Sequence, residues 1–144
     1  RHLAHLSDVV MKTQFVRQIK FSASHRYNQP KFTAAQNRKI FGACYNENGH
    51  GHNYVLEVAF EGKINPLTGM IINLMDVDEI LKEVIAPLDH RFLNKDVPYF
   101  QKIIPTTENI ALYCFNEVKK RLPKKVKLAR LRLYETDDIF AEIS

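Results

Sequence analysis

The sequence predicts an α+β domain, a two-layer sandwich in which a four-stranded antiparallel sheet carries two helices on one face. Three observations predict it. Alternating apolar and polar residues mark strands towards both ends of the chain, and two apolar stripes at helical spacing lie between them. The third is size: 144 residues, 45% hydrophobic and 26% charged, suit one core and not two. No apolar run approaches the ~20 residues of a membrane-spanning helix, so a single soluble domain is expected over residues 15–144. Residues 1–14 are expected to be an N-terminal extension outside the core, with Met11 as a candidate native start.

The elements follow in order. Phe15, Ile19, Phe21 and Ala23 alternate with Gln18, Lys20, Ser22 and Ser24, the pattern of a half-buried strand, and this parity puts His25 on the apolar face. Thr33, followed three residues later by Gln36, reads as a capping box opening one or two helical turns over residues 33–41. From His50 to Glu61 the chain alternates again, with Tyr54, Leu56, Val58 and Phe60 on one side. Counting back by twos places His52 and His50 there too. The turn INPLTG leads into MIINL, expected as a short second strand that makes residues 53–74 a β-hairpin. A helix is expected from Asn73 or Asp76 to Ile85, with Val77, Ile80, Leu81, Val84 and Ile85 on one side and Pro87 ending it.

A second helix starts after Pro105, capped by Thr106 or Thr107. It carries Ile110, Ala111, Cys114, Phe115, Val118 and Leu122 as its stripe, and its basic last turn suits the helix dipole. Ala129, Leu131 and Leu133 then alternate with Arg130, Arg132 and Tyr134, and IFAEI forms the last strand. The sheet face away from the helices has no cover within the chain, so it meets solvent or is closed by oligomerisation.

The net charge of +5 comes from a local excess between Lys119 and Arg132. It fits a solvated helix end and strand face, or a field for a small polyanionic substrate. No nucleic-acid-binding motif accompanies it, and no nucleic-acid partner is expected. Two cysteines, Cys44 and Cys114, make no disulfide framework in a chain of this size, which suits a reducing cytoplasm.

His50 and His52, two apart in an extended run, project to one face, and Gly49 and Gly51 remove bulk where the backbone turns or comes close. With His25 they supply three neutral imidazoles, the ligand set of a catalytic zinc site that keeps a fourth position open. Cys44, six residues before His50, is either a small buried hydrophobe or, beside a cation or imidazole, a thiolate able to accept a proton. Asp89 next to His90 is either an exposed loop pair or a carboxylate fixing an imidazole for acid–base work. Glu135, on the face of Leu131 and Leu133, is either a salt-bridge partner or the binder of a planar, amidine-like donor edge.

Taken in order, FSASHR, FGAC, NGHGHNY, NPLTGMIINL, PLDH, DVPYF, PTTEN and YETDD resemble the 6-pyruvoyltetrahydropterin synthase / 6-carboxytetrahydropterin synthase family from about residue 15 to the end. The resemblance implies that His25, His50 and His52 bind one Zn2+ per subunit, that Cys44 is the proton acceptor, and that Asp89 and His90 are its relay. It also implies that Glu135 anchors a pterin ring and that Thr106, Thr107 and Glu108 line the same pocket. Basic side chains such as Arg26 would meet a triphosphate. The implied fold is the tunnelling fold, whose barrel is completed by trimerisation, with two trimers stacked into a homohexamer and sites between subunits.

The implied reaction is that of a zinc-dependent, triphosphate-eliminating lyase. It turns 7,8-dihydroneopterin triphosphate into 6-pyruvoyltetrahydropterin, a step of tetrahydrobiopterin biosynthesis. Five residues, Tyr45 to Gly49, separate Cys44 from His50, a spacing that favours the pyruvoyl product. The alternatives are a 6-carboxytetrahydropterin synthase of deazapurine (queuosine) biosynthesis, whose cysteine commonly lies nearer the HGH, and a zinc-binding module without catalysis.

Overall fold

A computed structural model describes residues 11–144; the remainder of the expected N-terminal extension, residues 1–10, lies outside the described residues. Among the described residues, five strands form one sheet in the order β3-β1-β2-β4-β5. They are β1 (Thr13–His25), β2 (His50–Gly62), β3 (Arg91–Phe92), β4 (Lys127–Thr136) and β5 (Ile139–Ile143). β1, β2, β4 and β5 are antiparallel neighbours, as expected. The short β3 is an addition: it lies parallel to β1, pairing Ala23 with Arg91 and Ser24 with Phe92, and makes the sheet mixed. β1 begins at Thr13, so residues 13 and 14 are paired into the sheet, opposite Gly62 and Glu61.

Helix α1 (Ala34–Phe41) opens on the capping box of Thr33 and Gln36, and a 3-10 turn over Gly42–Tyr45 follows it. Helix α2 (Leu74–Ile85) is capped by the Asn73 side chain, which accepts from the Met75 N–H. Two short helices, α3 (Leu93–Asp96) and α4 (Pro98–Lys102), were not expected; they tuck Leu93, Val97 and Phe100 into the core. Helix α5 (Thr107–Arg121) is capped by Thr106. Val77, Leu81 and Val84 of α2 and Ile110, Ala111, Cys114 and Val118 of α5 pack on Phe21, Tyr54, Leu56, Val58, Phe60, Leu131 and Leu133 of the sheet. No helix among the described residues is long and apolar enough to cross a membrane.

Two expectations are corrected. MIINL is not a strand. β2 already has β1 on one edge and β4 on the other, so no row of backbone donors and acceptors is left for a hairpin partner. Residues 65–70 instead close a turn on themselves, the Gly69 N–H donating to the Asn65 carbonyl at 2.7 Å and the Asn65 N–H to the Met70 carbonyl at 3.0 Å. Ile72 then drops into the core. In β4, a bulge opposite Ala59 and Phe60 breaks the simple alternation, so Leu128 is buried where Ala129 was expected to face inward.

Candidate metal centre

Antiparallel pairing of β1 with β2 sets His25, the last residue of β1, directly across from His50, the first of β2, and His52 across from Ala23. Directly opposed residues on one sheet face have Cβ atoms about 5 Å apart, so the three rings must meet. Their centroids lie 4.8 Å (His25–His50), 5.1 Å (His25–His52) and 4.9 Å (His50–His52) apart, and one nitrogen from each falls within 4.8 Å of the others. Gly49 makes the entry into β2 possible. It sits at φ 69°, and a Cβ there would lie 2.8 Å from the His25 carbonyl oxygen and 3.1 Å from the Phe92 ring.

His25 is fully buried, and its Nδ1 is 2.7 Å from the Pro105 carbonyl. A carbonyl only accepts, so Nδ1 carries the proton and Nε2 keeps a lone pair. That lone pair faces His50 Nε2 at 3.2 Å. Burial, with the neighbouring His50 and His52 also opposing a charge, pushes His25 down to about 4 although the Pro105 carbonyl and Glu135 favour the charged form. The ring is therefore neutral near pH 7. Among the described residues His52 Nε2 is buried without any hydrogen-bond partner, and its ring too is held below the ordinary histidine range, chiefly by burial. Three imidazole nitrogens converging on one point, one of them orphaned, fit a metal ion, and His25, His50 and His52 can hold it.

Glu135 stands beside the cluster. It lies at a break in the β4–β5 register between Tyr134 and Thr136, on the face its parity with Leu131 and Leu133 gives it. Its Oε1 accepts from Thr107 Oγ1 at 2.9 Å and lies 3.6 Å from His52 Nε2 and 3.8 Å from His25 Nε2. Cys44, half-buried in the 3-10 turn, has its carbonyl fixed by the Tyr27 N–H at 2.7 Å. Burial and the nearby Glu135 charge push its thiol up, and it is not among the converging ligand atoms.

The other expected residues divide. Asp89 and His90 do pair, with Oδ1 2.9 Å from Nδ1, and the two residues are pinned to β1 through the Ser22 N–H and carbonyl. Among the described residues no hydrogen bond or ion pair joins them to Cys44; His90 is exposed, at φ 61°, over a cleft with Ser22, Ser24, Asn53 and Asp96. Thr107 reaches Glu135, whereas the Thr106 hydroxyl caps α5 by accepting from the Asn109 N–H, and Glu108 is exposed in the first turn. Arg26 donates to the Tyr45 carbonyl at 3.0 Å with its guanidinium 4.6 Å from that ring. It opens on a groove of about 500 Å3 shared with Lys31, Lys95 and Lys102.

Sequence reasoning assigned no role at the cluster to three residues around it. Pro105 holds His25 through a backbone carbonyl, which no side-chain pattern reveals. Tyr54 is fully buried with its hydroxyl 3.3 Å from His25 Nδ1; its parity with His52 was the available clue. Tyr27 lies beyond the end of β1, where strand parity no longer applies, yet its ring meets His25 edge-on at 5.1 Å.

Comparison with known proteins places nearly the whole chain. The family model "6-pyruvoyl tetrahydropterin synthase" matches residues 14–144. The 6-pyruvoyl tetrahydrobiopterin synthases of Pongo abelii and Homo sapiens are 47% and 46% identical over 128 residues, 88% of this chain and 88% of each relative. The solved structure of 6-pyruvoyl tetrahydropterin synthase from Caenorhabditis elegans superposes with a TM-score of 0.87 at 35% identity, covering 92% of this chain and 95% of that one. A near full-length match in both sequence and fold leads to one conclusion: the chain belongs to the 6-pyruvoyl tetrahydropterin synthase family.

Proposed function

We propose that this protein is a zinc-dependent lyase that converts 7,8-dihydroneopterin triphosphate into 6-pyruvoyltetrahydropterin with elimination of triphosphate. The observation that carries the reading is the convergence of three imidazole nitrogens, His52 Nε2 without a hydrogen-bond partner among the described residues, next to a carboxylate held by Thr107. His25, His50 and His52 hold the zinc. When bound, it supplies Lewis acidity towards the substrate's side-chain hydroxyls and makes the adjacent C–H bonds more acidic.

The chain's own groups do the rest. Each carboxylate oxygen has two lone pairs, so Glu135 can accept from Thr107 and still receive the planar donor edge of a pterin ring. Cys44 Sγ accepts a proton from the carbon skeleton. Its thiol is raised by burial and by Glu135, so its ionisation depends on a cation nearby. Asp89 orients His90, which returns protons. That pair stands at an open cleft on the sheet edge, and among the described residues no hydrogen bond or ion pair joins it to Cys44, which supports sites completed between subunits of a homohexamer of stacked trimers. Arg26 and the groove of lysines beside it meet the triphosphate.

The test is to incubate the zinc-loaded protein with dihydroneopterin triphosphate and identify the products by mass spectrometry. Triphosphate and 6-pyruvoyltetrahydropterin are expected. Acetaldehyde with a carboxypterin would replace the assignment with 6-carboxytetrahydropterin synthase, and no turnover would leave a zinc-binding module.

A further inference from the structure

Arg26 follows His25 directly and is held at both ends. One side chain clamps its backbone: Asn94 Oδ1 accepts from the Arg26 N–H at 2.8 Å, and Asn94 Nδ2 donates to the Arg26 carbonyl at 2.8 Å. Its own side chain runs to the 3-10 turn that carries Cys44. There Nε donates to the Tyr45 carbonyl at 3.0 Å, and the guanidinium lies over the Tyr45 ring, 4.6 Å from its centroid. The next residue, Tyr27, donates its N–H to the Cys44 carbonyl at 2.7 Å. Two consecutive residues thus hold the two consecutive carbonyls that fix the backbone of the thiol.

The same guanidinium lines the groove of Lys31, Lys95 and Lys102. Its Nε–H is spent on the Tyr45 carbonyl, and the donors on the two Nη atoms are left for an anion. A guanidinium is planar and rigid, so an anion that orients the Nη fork orients the Nε–H with it. We propose that Arg26 couples the triphosphate to Cys44: an anion seated on its Nη groups fixes the guanidinium plane, and through the Tyr45 carbonyl it fixes the turn that presents the thiol. Arg26 is then a positioning residue for Cys44 as well as a contact for the anion. Binding energy from a remote part of the substrate is in this way used at the reacting centre. The inference rests on the reading of this groove as the triphosphate site.

The test uses the zinc-loaded protein, inorganic triphosphate with excess magnesium as the probe, and alkylation by iodoacetamide as the readout. Cys114 is fully buried, so the folded protein reacts at Cys44. Bound triphosphate is expected to slow alkylation of the parent by about threefold to tenfold, the size of one net hydrogen bond held closed. Arg26→Lys keeps a positive charge in the groove and loses the planar fork. It is expected to bind triphosphate still, as measured by calorimetry, to alkylate at one rate with or without it, and to keep the parental zinc content. With dihydroneopterin triphosphate as substrate it should lower kcat, whereas a plain anion contact would raise KM alone. Slowing that persists in Arg26→Lys is shielding by the anion and would overturn the proposal. So would a parental kcat or lost zinc in that variant, or an unchanged alkylation rate in the parent with triphosphate bound. If the parent binds no triphosphate, the groove reading falls and the proposal with it.

Discussion

Gly49→Ala tests whether backbone geometry builds the metal centre. Two costs add at this position. An L-residue at φ 69° costs about 1 kcal/mol relative to glycine. The new Cβ would also stand 2.8 Å from the His25 carbonyl oxygen and 3.1 Å from Phe92, and relieving such overpacking costs about 1–3 kcal/mol. The sum is a destabilisation of about 2–4 kcal/mol, or roughly 5–15 °C in Tm for a chain of this size.

The clash also has a direction. The atom that must give way belongs to His25, whose ring is held to 3.2 Å from His50, so the three nitrogens separate and metal affinity should fall about tenfold or more. Gly69→Ala is the control: its φ of 74° carries the same backbone cost, but nothing lies within 4 Å of its Cβ, so it should lose about 1 kcal/mol and leave metal binding alone. Urea unfolding and a zinc titration against a competing chelator read both quantities. If Gly49→Ala matches Gly69→Ala in stability and the parent in metal affinity, the close approach at residue 49 does not shape the site.

Three further predictions use other residues. Cys44→Ala should keep the parental zinc content while turnover collapses, and His50→Ala should lose zinc; elemental analysis showing the reverse would make the thiol a ligand and break the three-histidine site. Glu57 concerns stability and pH. Burial pushes its carboxyl up, but hydrogen bonds from Arg130 and Gln18 and the charges of Arg130 and Arg132 outweigh this and hold it below the ordinary glutamate range. A depressed carboxylate contributes stability above its unfolded value, lost as pH falls through the folded one. Glu57→Gln should therefore be less stable than the parent at pH 7 and converge with it below about pH 4, as followed by urea midpoints; a constant gap down to pH 3 would refute the assignment.

The sequence by itself determined what depends on near neighbours. Period-2 parity put His25, His50 and His52 on the faces they occupy, because side-chain direction in a strand is set by the backbone two residues at a time. Thr33, Asn73 and Thr106 marked helix starts because capping is a contact within one turn. Tertiary structure decided what depends on which edges and faces remain free. MIINL has strand-forming residues but met a sheet with both edges of β2 already paired. Asp89 and His90 are adjacent in any conformation, yet only the anchor on Ser22 turns them to an open cleft. The Pro105 carbonyl that fixes the tautomer of His25 comes from 80 residues away, and Thr107 reaches Glu135 only once α5 packs against the sheet. Local rules reach about one helical turn or a strand's parity, and the orientation of a catalytic group is set by partners farther along the chain than that.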